Sequence, residues 1–129
     1  MSSQLLTKLK SQILQSQLSD LEKFWILTAK LKLKYILDPK KEDKRKSIPA
    51  PLKKQIWEKY ISIDLRKGKC FCCKTTDIME SDFHAGHIIS DKDKGKVELE
   101  NLRPLCSKCN LSMGSENMFE FISKYGFWN

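Results

Sequence analysis

KCFCC at residues 69–73 and NLRPLCSKCN at residues 101–110 decide how this chain is read. Each holds a two-cysteine clip, Cys70-x-x-Cys73 and Cys106-x-x-Cys109, and Asn110 follows the second clip directly. A C-x-x-C turn places two sulfurs on one metal, and two such turns complete the tetrahedral shell of a structural zinc. The 32 residues between the clips leave room for a hairpin. CFCC also offers the tighter pair Cys70-x-Cys72, but only Cys70 and Cys73 repeat the spacing of the second clip. Cys72 is therefore expected to be a spare thiol. Five cysteines arranged this way fit a metal in a reducing compartment better than a disulfide framework.

Two polar residues lie between the clips. His87 sits in AGHIIS, on an expected strand over about 82–89 that runs into the polar loop DKDKGKVELE. A neutral imidazole can take a proton from water near neutral pH, which is what phosphodiester hydrolysis requires. Asn101 lies fourteen residues later and is placed to orient that imidazole through its amide or its backbone. Asn110 is fixed by its neighbour Cys109, and an amide oxygen there is a ligand for a hard divalent cation. Such a cation stabilises the phosphorane and the leaving oxygen. A lone histidine is more often structural than catalytic. Together with Asn101, Asn110 and both clips, His87 becomes a candidate base.

The ordered set CFCC, FHAGHIIS and NLRPLCSKCN resembles the zinc-containing HNH endonucleases, in particular the modules found in phages and large DNA viruses. The resemblance covers about residues 47–129 and leaves out the first 46. It implies a ββα-metal, treble-clef-like module: a hairpin whose first strand carries His87, a loop with Asn101, and a helix starting near Asn110. It further implies His87 as general base, Asn101 as its support, and Asn110 as a ligand of Mg²⁺ or Mn²⁺. Water would be the nucleophile, leaving a 3′-hydroxyl and a 5′-phosphate. Many members carry an aspartate or histidine just before the catalytic histidine, and here that position is Gly86. His84, two residues earlier, shares the strand face of position 86 and is a candidate replacement ligand; Asp82 is another.

Outward from the module, residues 3–17 carry Leu5, Leu6, Leu9, Ile13 and Leu14 at helical spacing. Ser19 and Glu22 form a capping box for a second helix over 20–37, apolar around much of its circumference. Asp38-Pro39 should end it. KKEDKRK at 40–46 reads as an exposed linker. A third helix is expected over about 52–66, with Leu52, Ile56, Tyr60 and Ile63 on one face and Gly68 as its stop. Met118 to Trp128 should form an apolar C-terminal helix and tail. The expected fold is α+β and mostly helical, divided into a helical hairpin (1–38), a basic linker (39–51) and a zinc module with its preceding helix (52–129).

The net charge of +8 is unevenly spread: +3 over residues 1–38, +7 over 39–69, and −2 over 70–129. A polyanion such as DNA would be held mainly by segment 39–69, beside the acidic module rather than on it. No apolar run reaches the length of a membrane span, and the N-terminus lacks a secretory h-region. A soluble intracellular protein is expected, in cytoplasm or nucleus, or in a host cell if the chain is viral. The apolar second helix also suits a homodimer. Two readings follow: an HNH endonuclease acting on DNA, or a zinc-stabilised DNA- or protein-binding module on the same scaffold. The three polar residues favour the first; Gly86 and the acidic module favour the second.

Overall fold

The computed structural model describes residues 3–8, 17–39 and 47–128. Most of the expected first helix (9–16) and the basic run 40–46 lie outside the described residues; residues 3–8 are helical. Helix α1 spans Asp20–Leu37, and Ser19 caps it. The Ser19 hydroxyl accepts from Glu22 N at 3.1 Å, and the Glu22 carboxylate accepts from Ser19 N at 3.1 Å. Two orphan N–H groups of the first turn are thereby satisfied, so the capping box forms as the sequence states it.

Phe24, Thr28, Leu31 and Tyr35 make the buried face of α1. Their spacing is one stripe of a helix. Thr28 bonds Phe24 O at 2.7 Å, so its hydroxyl is satisfied in an apolar setting. Phe24 meets Phe71 edge-on at 5.3 Å and Trp128 at 5.2 Å. Burial of such a ring contributes about 1.5–3 kcal/mol. One hydrophobic core therefore joins α1 to the cysteine-bearing module. The other side of α1 leaves Ile26, Leu33, Ile36 and Leu37 exposed.

Helix α2 spans Ala50–Trp57, with Pro51 in its first turn. It does not run on as an α-helix to residue 66. A π turn, Glu58–Ser62, follows it. This wider turn shifts the register, so Ile61 packs inward while Ile63 is exposed. Gly68 is not the helix stop either. It lies in strand β1 (Lys67–Lys69), where a Cβ would come within 2.8 Å of the Ile61 side chain. The glycine permits close approach of strand to helix.

Strand β1 pairs antiparallel with β2 (Asp77–Met79). A second antiparallel pair joins β3 (His84–His87) to β4 (Leu102–Leu105), with His84 opposite Leu105 and His87 opposite Leu102. The strand is thus shorter than the expected 82–89, because Ile88 and Ile89 turn into the core. Helix α3 (Ser107–Met113) follows β4 and packs on β3. Helix α4 (Met118–Tyr125) packs on α1 and ends at Gly126, whose φ of 62° is left-handed. The whole is helical with two small antiparallel sheets, consistent with α+β.

Candidate metal centre and active site

The first clip closes the β1–β2 hairpin. Cys70 N donates to Thr76 O and Lys74 N to Cys70 O, both at 2.9 Å, and Lys74 takes a left-handed φ of 61°. The second clip opens α3. Cys106 is its N-cap, and its sulfur accepts from Cys109 N at 3.4 Å. Phe71 N donates to Pro104 O at 2.9 Å and sews the two clips together. The ligand atoms of Cys70, Cys73, Cys106 and Cys109 consequently all lie within 4.8 Å of one another. A zinc tetrahedron with Zn–S bonds of about 2.3 Å needs sulfurs about 3.8 Å apart. The donor set and its spacing fit zinc.

Burial pushes the Cys70 and Cys109 thiols up. Burial also raises Cys73, but hydrogen bonds with Thr76 and Thr75 outweigh it and bring that thiol down to about 5. A bound metal ion would take these sulfurs as thiolates and so offset that cost of burial. Cys72 stays outside the cluster: it is fully buried, burial pushes its thiol up, and its carbonyl accepts from Trp128 Nε1 at 2.8 Å.

The other polar residues gather around the β3–β4 hairpin. His87 and Asn110 line one cavity of about 950 Å³, together with Ala85, Ser90, Lys96 and Leu111 and with Ile48 and Leu52 at the start of α2. The alternation of β3 sends Ala85 and His87 towards this cavity. His87 is half-buried and its Nε2 atom is buried. His84 meets Asn110 instead: Asn110 Nδ2 and His84 Nδ1 are 3.1 Å apart. Asn110 thus meets both histidines' surroundings: it lines the cavity with His87, and its amide bonds His84, which is not among the residues lining that cavity. Asp82 is exposed and bridges back to Met79 at the end of β2. Among the described residues, only the four cysteines bring three or more His, Cys, Asp or Glu ligand atoms together.

Gly86 is packed, not vacant. A Cβ there would stand 2.2 Å from Leu105 Cδ1, 3.0 Å from Leu105 Cγ and 3.4 Å from Met113 Cε. Leu105 is fully buried. The face on which an aspartate or histidine would project is occupied by the contact between hairpin and α3.

Asn101 is fully buried and works on backbone. Its Oδ1 accepts from Ile89 N at 2.8 Å, and its Nδ2 donates to Ile89 O at 3.0 Å and Lys96 O at 2.9 Å. Its carbonyl accepts from Ile88 N at 2.8 Å. It thus fixes the chain immediately after His87. Gly95 makes this possible, since a Cβ there would lie 1.8 Å from Ile89 O. Asn117 adds a support that sequence reading missed: its Oδ1 accepts from Ser90 N at 2.8 Å. An asparagine just ahead of the apolar run at 118–122 was the available signal. Arg103 was missed as well. It is buried, stacks over Tyr60 at 3.8 Å, and donates to Glu100 O and Leu102 O.

A four-cysteine cluster thus stands beside a hairpin and helix whose His87 and Asn110 line one cavity. Residues 70–116 match the family model for HNH endonuclease. No curated protein and no solved structure matches the chain. No described helix is long and apolar enough to cross a membrane.

Proposed function

We propose that this protein is an HNH-type endonuclease that hydrolyses DNA phosphodiesters, with His87 as general base. The observation that carries the reading is that His87 and Asn110 line one cavity within the segment that matches the family model. His87 takes the proton of the attacking water. Asn101 holds the backbone beyond His87, so the imidazole works from a fixed base.

Asn110 and His84 would hold a divalent cation such as Mg²⁺ or Mn²⁺. They would offer the Asn110 amide oxygen and a His84 ring nitrogen, with the remaining ligands supplied by water and phosphate, as is usual for Mg²⁺ at phosphate sites. When bound, such an ion stabilises charge on the phosphate and the leaving oxygen. Cys70, Cys73, Cys106 and Cys109 hold a structural zinc that fixes Asn110 at the head of α3. The basic segment 39–69 supplies phosphate contacts that position the DNA without reading its sequence. The exposed apolar side of α1 is compatible with a homodimer, which would bring two sites to two strands.

The packing of Gly86 favours a second reading, a binding module with little or no catalysis, because it removes one expected ligand. Nicking of supercoiled DNA with Mg²⁺ or Mn²⁺ separates the two. The nuclease reading requires nicking that His87→Ala abolishes; absence of nicking with either cation supports the binding module.

A further inference from the structure

Ser90, Asp91, Lys92, Lys96 and Val97 form one wall of the cavity that holds His87, and the chain behind them runs on through Glu98 to Asn101. Asn101 pins this wall from inside. A second set of bonds pins it from outside, and it comes from α1, some sixty residues away in sequence. Tyr35 Oη donates to Glu98 Oε1 at 2.5 Å, and Lys34 Nζ donates to the same oxygen at 2.9 Å. Lys34 also pairs with Glu100. Just past the helix, Asp38 accepts from Lys96 Nζ at 2.8 Å. Glu98 in turn passes the constraint inward, since its carbonyl accepts from Asn101 N at 3.0 Å. Burial raises the Glu98 carboxyl, but the hydrogen bonds from Tyr35 and Lys34 outweigh it and hold it below the usual range.

The anchor is not a loose surface pair. Tyr35 is buried, and its ring is fixed by the same core that seats Phe24 and Leu31. A hydrogen bond to a charged group in such a setting is stronger than a neutral one. The route from α1 to the site is therefore a chain of named bonds: Tyr35 to Glu98, Glu98 to Asn101, and Asn101 to Ile89, two residues beyond His87.

We propose that Tyr35 and Lys34 of α1, acting through Glu98, are positioning residues that hold the 96–101 wall and so set the backbone after His87. On this view α1 is a working part of the site and more than a helix attached to it. Only the kinetic half of the test rests on the nuclease reading above.

The test uses the full-length, zinc-loaded protein with Tyr35→Phe, Glu98→Gln and, as a control on the same helix, Lys32→Ala. Lys32 pairs with Glu120 of α4 and not with a residue of the wall. Amide hydrogen exchange is followed at Ile88, Ile89, Gly95 and Asn101, whose N–H groups are all bonded within the wall. Exchange there should speed up about tenfold or more in Tyr35→Phe and Glu98→Gln. Cys70 and Phe71 amides should be unchanged, and Lys32→Ala should match wild type. In nicking assays kcat should fall about tenfold while KM for DNA moves less than twofold. Uniform acceleration at all amides would mean merely global destabilisation, and would overturn the proposal. Unchanged exchange in the wall, or a loosened wall with unchanged kcat, would overturn it too. If wild type fails to nick at all, the nuclease reading fails, and exchange alone still decides whether α1 holds the wall.

Discussion

Replacing Gly86 by alanine tests why a glycine stands beside His87. The new Cβ would sit 2.2 Å from Leu105 Cδ1 and 3.0 Å from Cγ, well inside contact distance. Leu105 is fully buried between the hairpin and α3, with Met113 on the other side of the added methyl at 3.4 Å. The leucine therefore cannot swing into solvent and must push on the helix that carries Asn110. Overpacking of this kind costs about 1–3 kcal/mol. Leu105→Ala alone should cost about 2–5 kcal/mol through lost burial and a cavity. The double variant should cost less than the sum by about 1–2 kcal/mol, because the added methyl fills part of the space the leucine left. Denaturant unfolding of the zinc-loaded protein measures all three. Gly86→Ala with wild-type stability, or strictly additive effects in the double variant, would refute the packing account. Gly86→Asp should be worse than alanine, since it adds a carboxylate to the same apolar contact.

Other outcomes follow from the same geometry. Asn101→Ala should destabilise by about 2–4 kcal/mol, because Ile89 N, Ile89 O and Lys96 O lose their buried partner together; thermal or denaturant unfolding checks it. Cys106→Ser should abolish zinc retention, read by metal content after dialysis, and a strong chelator should unfold the wild type. Neutralising Lys40, Lys41, Lys44, Arg45 and Lys46 should weaken DNA binding and flatten its salt dependence by up to about one unit of slope per lost phosphate contact. An unchanged slope would remove that run from the interface.

Much of this architecture was legible in local pattern. The capping box at Ser19 and Glu22 and the proline after Asp38 placed α1 at its observed bounds, because caps act within one turn. The repeated C-x-x-C spacing gave the four-sulfur cluster, because a turn of that length has few ways to place its thiols. What escaped depended on distant partners. The π turn after Trp57 has no marker of its own, so Ile63 was misplaced on the buried face. Gly68 looked like a helix stop because its real constraint is the side chain of Ile61. Gly86 looked like a missing ligand; the hairpin pairs it with Arg103, and the side chain of Leu105, two residues further along β4, fills the space a Cβ would take. Asn101 was expected to orient the imidazole through its amide or its backbone; the amide bonds the backbone of Ile89 and Lys96, partners that no local pattern names. The Tyr35–Glu98 bond joins residues too far apart for periodicity to suggest it.

The central claim is that His87 serves as base in a metal-assisted nuclease. Single-turnover nicking of supercoiled plasmid, with Mg²⁺ or Mn²⁺, tests it most directly when wild type and His87→Ala are compared at matched zinc content and matched DNA affinity. The account predicts wild-type nicking that falls about 10²- to 10⁴-fold in His87→Ala. Equal rates in the two proteins would contradict it.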